Sequence, residues 1–175
     1  ELPEIDAIMG TRDVGRVVEV VNGLLASDKK PFSATADDVD AVVRVWNATK
    51  RDTYDFIPQE QGRSVADDDA FFRAHILPRC AIWIAVERGA VVGFLAIAAS
   101  YVDRLYVHPA AQRRGVGTAL LAKAIEISPC GIELHTHQKN AKARAFYDKA
   151  GFTAVRFGVS PPPESEPDVE YHWRP

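Results

Sequence analysis

The sequence has few cysteines and no long apolar run. Its two cysteines, Cys80 and Cys130, lie far apart and match no zinc-binding spacing. One pair is too few for a disulfide-stabilised scaffold, so we interpret both as reduced thiols and expect a cytoplasmic protein. No stretch approaches the roughly 20 apolar residues that a membrane-spanning helix needs. The sequence therefore indicates neither a disulfide scaffold nor a membrane segment.

An excess of charge of one sign is also lacking. The 175 residues include 21 basic and 24 acidic side chains, and the resulting net charge of −3 argues against nucleic acid as a partner. Apolar residues make up 47% and charged residues 26%, which is close to the average for globular proteins and excludes a disordered chain. The length fits one domain with a short extension.

The first thirty residues differ from the rest. Their apolar positions recur with the spacing of one helical face, at Val14, Val17, Val18, Val21, Leu24 and Leu25. We predict that residues 1–30 form an extension, an amphipathic helix plus a polar linker, and that residues 31–175 form the main domain. The valines and Gly15 weaken helix propensity, so a strand is the alternative. The helix is expected to pack on its own domain, with a homodimer contact as the alternative.

From residue 31 onward, helical and strand patterns alternate. Helical periodicity is found at 39–46, 70–77, 116–127 and 143–150. Strand patterns are found at 81–87, 91–99, 101–107, 132–136, 153–159 and 169–173. This order predicts an α/β (α+β) fold, with a mixed sheet flanked by helices.

Three consecutive acidic residues, Asp67, Asp68 and Asp69, precede the second helical pattern. Three adjacent carboxylates suggest a metal site, but acidic side chains at a helix N-terminus are also favoured by the helix dipole. We prefer the structural interpretation and predict no metal.

The segment from Gln112 to Thr118 lies between a strand and a helix. Gly115 and Gly117 allow a tight turn, and the amides at a helix N-terminus attract negative charge. Arg113 and Arg114 add positive charge, so the segment predicts a phosphate or pyrophosphate site. The third glycine of a dinucleotide fingerprint and the Gly-Lys-Ser/Thr of a P-loop are both missing, which argues against NAD and ATP.

Two motifs carry a family resemblance. Residues 105–109 read Leu-Tyr-Val-His-Pro, and residues 112–117 read Gln-Arg-Arg-Gly-Val-Gly. Together they resemble the acetyl-CoA motif of the GNAT superfamily of N-acetyltransferases. Residues 140–147, Asn-Ala-Lys-Ala-Arg-Ala-Phe-Tyr, resemble that family's second signature. The resemblance covers about residues 31–175 and implies a GNAT-type, mostly antiparallel central sheet, acetyl-CoA as cosubstrate and coenzyme A as product.

The resemblance also implies which residues hold the cofactor. Backbone amides from Arg113 through Thr118 would bind the pyrophosphate, and the pantetheine arm would pair with the backbone of residues 105–107. Asn140 would contact the same arm, and Ala143 would leave room for it. The expected cofactor-binding residues are Leu105, Tyr106, Val107, Gln112, Arg113, Arg114, Gly115, Val116, Gly117, Thr118, Asn140, Ala143 and Tyr147.

Tyr147 matches the family's usual general acid, which protonates the leaving thiolate. A thiol pKa near 8.5 and a phenol pKa near 10 make this transfer feasible. The backbone N–H of Val107 could hold the oxyanion of the tetrahedral intermediate. The alternative is that Tyr147 is a core aromatic beside Phe146.

The general base is less clear from the sequence. Family members often use a Glu near the strand at 101–107, which here contains none. By strand alternation, Tyr101, Asp103, Leu105 and Val107 share one face, so Asp103 is the expected catalytic carboxylate. The alternative is an ion pair between Asp103 and an arginine on a neighbouring strand. We interpret three histidines near the motifs as structural: His108, His135 and His137.

The acceptor is expected to be a small-molecule or peptide amine. Chain order places one group of aromatic and acidic residues on the acceptor side: Trp46, Tyr54, Phe56, Trp83, Tyr101 and Asp103. Aromatic walls and a carboxylate would suit a cationic amine. The predicted activity is direct transfer of acetyl from acetyl-CoA to that amine in a ternary complex. The alternatives are a non-catalytic acyl-CoA sensor and a nucleic-acid-binding domain, and the net acidity argues against the latter.

Overall fold

The computed structural model describes residues 7–13, 16–20, 36–60, 62–162 and 164–175. In chain order the elements are β1 (Ala7–Asp13), β2 (Arg16–Val20), α1 (Ala36–Thr53), α2 (Val65–Phe71), β3 (Ala81–Glu87), β4 (Ala90–Ala98), β5 (Tyr101–Val107), α3 (Val116–Ile127), β6 (Ile132–His137), α4 (Ala141–Lys149), β7 (Thr153–Val159) and β8 (Pro167–Trp173). A π-helical turn, Phe72–Ile76, continues α2. Within this part of the chain, no helix combines the length and apolar character needed to cross a membrane.

The strands form one sheet in the order β2-β1-β3-β4-β5-β6-β8-β7. Among the described strands, β5 and β6 are the one parallel pair, and all other neighbours are antiparallel. The prediction of a mixed, mostly antiparallel sheet with flanking helices is confirmed.

The helix predicted within the first thirty residues is wrong where the structure describes this segment. Arg16–Val20 forms β2, which pairs with β1, and β1 pairs in turn with β3. The physical reason is that β-branched valines favour strands, while β3 offers a hydrogen-bonding edge that a helix could not use. Val14, Val21, Leu24, Leu25 and the linker lie outside the described residues. The domain boundary at residue 30 stays a prediction.

The sheet has an apolar core on each face. On one face α3 and α4 pack over residues such as Leu95, Ile97 and Leu134. On the other face α1 and α2 pack over residues such as Ile84 and Phe94. The two helical layers therefore pack on opposite faces of the sheet, and the central strands β3, β4 and β5 are covered by helices on both faces.

Gly93 allows α3 to lie close to β4. A Cβ at this position would lie 3.0 Å from the carbonyl oxygen of Tyr106 and 3.1 Å from side-chain atoms of Val116 and Leu120. Val116 and Leu120 are both on α3 and are almost fully buried. The missing side chain at Gly93 therefore sets the distance between the sheet and the helix that follows the predicted phosphate-binding turn.

We expect Gly93→Ala to lower the free energy of unfolding by about 1–3 kcal/mol, because the methyl group overpacks this contact. Urea denaturation measures the change. Gly117→Ala is the matched control, since a Cβ there would make only ordinary contacts, the nearest at 3.5 Å to Phe146. Equal destabilisation by the two substitutions would contradict this account.

Candidate active site

The sheet is split between β5 and β6. These strands pair only at Tyr101 with Glu133 and at Val102 with Leu134, both near their N-terminal ends. Farther along, β5 continues to pair with β4, whereas β6 continues to pair with β8. Among the described strands, the later half of β5 therefore has one backbone edge without a partner, to which an extended ligand can add as a strand does.

A β-bulge at Asp103 changes the faces of β5. Val102 pairs with Ile97 and Arg104 pairs with Ala96, so Asp103 is an extra residue without a partner on β4. The predicted alternation is therefore wrong. Leu105 and Val107 share the α3 face with Val102, and not with Asp103 and Tyr101. A bulge depends on pairing with the neighbouring strand, so strict period-two alternation could not reveal it.

The polar backbone groups of Val107 face the split. The next amide, that of His108, donates to the carbonyl of Val92 at 2.8 Å and so points toward β4. Because successive residues of a strand point in alternate directions, the Val107 N–H points to the open side. Its carbonyl oxygen lies 3.1 Å from both Thr49 Oγ1 and Gln112 Nε2, which donate to it. The end of β5 is thus held while one N–H remains directed at the split.

The turn before α3 presents a group of backbone amides. Gly115 caps the helix with a φ of +89°, and Arg113 has a φ of +63°. The amide of Ala119 bonds to the Gly115 carbonyl at 3.0 Å, which begins the helical ladder. Within the described residues, no backbone carbonyl accepts from the amides of residues 113–118. These amides and the helix dipole together can bind an anion.

The side chains of the turn have different roles. Arg114 Nη2 lies 2.6 Å from Glu87 Oε1 on β3, so this cation is paired within the protein. Arg113 is exposed, and its cation has no partner among the described residues. Gln112 supports the carbonyl of Val107 with its amide, and Val116 points into the core. The backbone and Arg113 are therefore left for a ligand, together with the exposed Thr118.

We expect Arg113→Gln to weaken coenzyme A binding about fivefold, roughly the effect of one exposed charge contact. Arg114→Gln is expected to change the affinity less than twofold and instead to lower stability, because Glu87 loses its partner. Titration calorimetry and urea denaturation separate the two effects. A greater loss of affinity in Arg114→Gln than in Arg113→Gln would contradict these assignments.

Asn140 and Ala143 are coupled at the start of α4. The Asn140 side-chain oxygen accepts a hydrogen bond from the Ala143 amide at 3.1 Å and caps the helix. The side-chain NH2 of Asn140 has no acceptor among the described residues, so it can donate to a ligand. Ala143 packs at the edge of the α3–α4 core.

Tyr147 lies on α4 in an aromatic cluster. Its ring centroid lies 5.2 Å from that of Phe146, 5.6 Å from Phe152 and 5.8 Å from Tyr171. Its hydroxyl has no hydrogen-bond partner among the described residues. Burial, with a smaller contribution from the nearby Tyr106 phenol, raises the Tyr147 pKa well above its usual value. The phenol therefore stays protonated, and complete transfer of its proton to a thiolate is less favourable than ordinary pKa values suggest.

The acceptor side contains a cluster of aromatic rings. The ring centroids of Trp46 and Tyr106 are 6.4 Å apart, and the hydroxyl oxygens of Tyr54 and Tyr106 are 3.0 Å apart. Tyr54 also contacts Phe56 at a centroid distance of 5.8 Å. Three of the predicted acceptor residues, Trp46, Tyr54 and Phe56, are therefore brought together. Tyr106, which was expected to serve the cofactor through its backbone, joins them with its side chain.

Two predicted acceptor residues lie elsewhere. Trp83 packs on the α3 face, with Lys123 Nζ 4.3 Å from its ring centroid, so its assignment to the acceptor side is wrong. Tyr101 lies at the start of β5, where the sheet is still closed, and contacts His135. Trp83 alternates with residues of the opposite face along β3, and chain order could not show which face meets the acceptor.

Asp103 is paired with its neighbour Arg104. Asp103 Oδ2 lies 3.2 Å from Arg104 Nη1, but this nitrogen donates its hydrogen bond to the Asp103 carbonyl at 2.7 Å. Oδ2 is buried and has no hydrogen-bond partner in the part of the chain that the structure describes. The Arg104 guanidinium also lies over Trp46 at 5.7 Å. The ion pair that was the alternative to a catalytic role is present, with an arginine on the same strand.

The three adjacent carboxylates all lie within α2, and each has a structural partner. Asp67 forms a capping box with Ser64, and Asp69 pairs with Arg73 at 2.8 Å. Asp68 is fully buried and accepts hydrogen bonds from Asn47, Lys50 and Arg63. Among the described residues, no group of three or more His, Cys, Asp or Glu side chains has an arrangement suited to a metal ion.

The buried Asp68 network holds the loop that carries Tyr54 and Phe56. Lys50 Nζ lies 2.6 Å from Asp68 and 2.5 Å from Glu60, so the lysine ties α2 and this loop to α1. Both Lys50 and Asp68 are almost fully excluded from solvent. The position of the acceptor-side aromatic rings thus depends on this network.

We expect Asp68→Asn to lower the free energy of unfolding by about 3 kcal/mol, because removing one member of a buried ion pair leaves its partner uncompensated. Asp69→Asn, one residue away and partly exposed, should cost no more than about 1 kcal/mol. Thermal and urea denaturation provide the comparison. Similar losses in the two variants would be inconsistent with a structural role specific to Asp68.

Comparison with known proteins agrees with this geometry. Residues 42–152 match the model of the Acetyltransferase (GNAT) family. The peptidyl-lysine N-acetyltransferase YjaB of Escherichia coli K12 is 29% identical over 117 residues, which cover 66% of this chain and 76% of the relative. YiaC, a peptidyl-lysine N-acetyltransferase from the same organism, is 28% identical over 123 residues, with 70% and 82% covered. The solution structure of apo-form YjaB is similar at a TM-score of 0.65 and 25% identity, covering 78% of this chain and 90% of that one.

The family match spans more than half of the chain and includes the turn before α3, the split in the sheet and Tyr147. The acetyl donor is acetyl-CoA, and the acceptor is an amine. The chain belongs to the GNAT family of acetyltransferases.

Proposed function

We propose that this N-acetyltransferase acetylates the side-chain amine of lysine in peptides, by direct attack of the amine on acetyl-CoA. The open backbone edge of β5, which ends beside the amide-bearing turn, is the observation that carries the mechanism. The names of two relatives, both peptidyl-lysine N-acetyltransferases, support lysine as the acceptor. The acceptor-side aromatic rings suit the aliphatic chain and ammonium group of lysine.

In this proposal acetyl-CoA spans the split. The amides of residues 113–118 bind its pyrophosphate, with Arg113 beside them. The pantetheine arm pairs with the open edge of β5 and accepts a hydrogen bond from Asn140. The thioester then lies near the end of β5, where the Val107 N–H stabilises the tetrahedral oxyanion. Tyr147 donates a hydrogen bond to the departing sulfur and delivers the proton as the C–S bond breaks.

The cysteines support a direct rather than a covalent route. Cys80 is buried against the α1 core, and burial raises the pKa of its thiol, which makes it a poor nucleophile. Cys130 lies beyond the C-terminal end of the 12-residue helix α3. The length of that helix, roughly 18 Å, separates Cys130 from the anion-binding turn at its N-terminus.

We expect Tyr147→Phe to lower kcat by about 100-fold, in the range typical of a lost general acid, while leaving the Kd for coenzyme A within about twofold. Release of free coenzyme A thiol, with a lysine peptide as acceptor, gives kcat. Tyr171→Phe removes a hydroxyl from the adjacent ring and is the matched control for packing. It should retain kcat within about twofold.

The same experiment tests the sensor alternative. Coenzyme A binding without thiol release, across a panel of peptide and small-molecule amines, would overturn the proposed function and favour a non-catalytic role. Turnover of small amines but not of lysine peptides would overturn only the choice of acceptor. A cytoplasmic location and a homodimer stay predictions from the sequence.

A further inference from the structure

His137 ends β6 at the point where this strand has separated from β5. Its backbone is fixed by the register with Asp168 on β8 and by the amide of Asn140, which donates to its carbonyl at 3.0 Å. Its side chain is 12% exposed. The imidazole is therefore held at the open part of the split, directly before the helix that carries Tyr147.

The ring of His137 lies against the acceptor-side aromatic residues. It meets Tyr54 edge to face at a centroid distance of 5.2 Å and Phe56 at 5.9 Å. Nε2 lies 3.6 Å from Glu164 Oε2, whereas Nδ1 is buried and has no hydrogen-bond partner among the described residues. An unpaired buried nitrogen is costly, and a donor group on an incoming ligand would satisfy it.

Glu164 favours one tautomer of the imidazole. Glu164 is beyond hydrogen-bond distance of Nε2 but within ion-pair range, and its negative charge favours a proton on this nearer nitrogen, which leaves a lone pair on Nδ1. We infer that His137 is the general base of the reaction, with Nδ1 accepting the proton of the attacking ammonium group and Glu164 acting as a positioning residue. This inference rests on the proposed function and names the group that the sequence assigned to Asp103.

Asp103 is less suited to this role. Its buried oxygen also lacks a hydrogen-bond partner within the described ranges, but it lies in ion-pair contact with Arg104. The ion pair with Arg104 therefore already engages the carboxylate within the protein. An imidazole, by contrast, changes protonation between about pH 5 and 8, where a lysine acceptor must lose a proton.

The proton balance is complete with the groups already named. Nδ1 of His137 takes one proton from R–NH3⁺, and the neutral amine forms a C–N bond to the thioester carbon. The C–S bond of the tetrahedral intermediate then breaks as Tyr147 protonates the sulfur. The second amine proton returns through water to the Tyr147 oxygen, and His137 releases the first proton to solvent. The products are the acetylamide, coenzyme A thiol and one proton.

Several titratable or charged groups surround the imidazole and belong in any account of its pH dependence. Tyr54, which follows α1, contacts the imidazole, Tyr106 and Arg104 of β5 lie near Tyr54, and Lys139 lies over the neighbouring Phe56 ring at 5.3 Å. Glu164 and Asp168 face it from the segment before β8 and from β8 itself.

The test is the pH profile of kcat/KM for His137→Asn with acetyl-CoA and a peptide containing one lysine. We expect the rate at pH 7 to fall about 100-fold or more and the acidic limb of the wild-type profile to disappear. The loss of kcat/KM in His137→Asn should become smaller as the pH approaches the pKa of the lysine amine, because more of the amine is then already neutral. It should also be smaller at pH 7 with a weakly basic amine that is neutral at that pH. The Kd for coenzyme A should stay within about twofold.

His135→Asn is the matched control, because His135 lies two residues earlier on the same face of β6 but beside Tyr101, away from the open split. It should retain the wild-type profile. Glu164→Gln provides a second readout that does not depend on the folding of the His137 variant. Loss of a carboxylate that stabilises the imidazolium should move the acidic limb to lower pH.

The inference is overturned if His137→Asn keeps the acidic limb, if Glu164→Gln leaves the limb unmoved, or if Asp103→Asn removes it instead. Failure of the proposed function has a different signature. In that case the wild-type chain binds coenzyme A but acetylates no lysine peptide. The profiles can still be measured with any small amine that the enzyme does accept.

Discussion

The active site depends on backbone hydrogen bonds that β5 and β6 do not make. The two strands are joined at only two residue pairs, after which each continues with its other neighbour. Unpaired strand edges are normally avoided, because their N–H and C=O groups attract other chains. Here the gap is kept open inside the sheet, where its backbone groups can meet an extended cosubstrate instead of another protein.

Several parts of the structure hold this gap in place. Gly93 brings α3 close to β4, so that the amide-bearing turn sits at the end of β5. Thr49 and Gln112 both bind the Val107 carbonyl and leave the Val107 N–H directed at the split. The Lys50–Asp68 pair fixes the loop with Tyr54 and Phe56 on the acceptor side. The site is thus assembled from both helical layers around one interruption of the sheet.

Local features of this site could be predicted from the sequence, and features set by tertiary pairing could not. The glycine and arginine pattern of residues 112–118 specifies a turn into a helix, because that geometry depends on the segment alone. The bulge at Asp103 depends on the register with β4, and the pairing of Arg114 depends on Glu87 of β3. His137 was interpreted as structural because two histidines in a short strand are more often structural than catalytic, and its contacts with Glu164 and Tyr54 and its unpaired nitrogen depend on tertiary packing.

Backbone amide exchange with and without coenzyme A tests the central claim most directly. If the cosubstrate pairs with the open strand edge, the Leu105 and Val107 amides should exchange more slowly in the complex, together with those of residues 113–118. Amides of β7, the strand at the outer edge of the sheet beyond β6 and β8, should be unaffected. Tight binding of coenzyme A with unchanged exchange at Leu105 and Val107 would contradict the account.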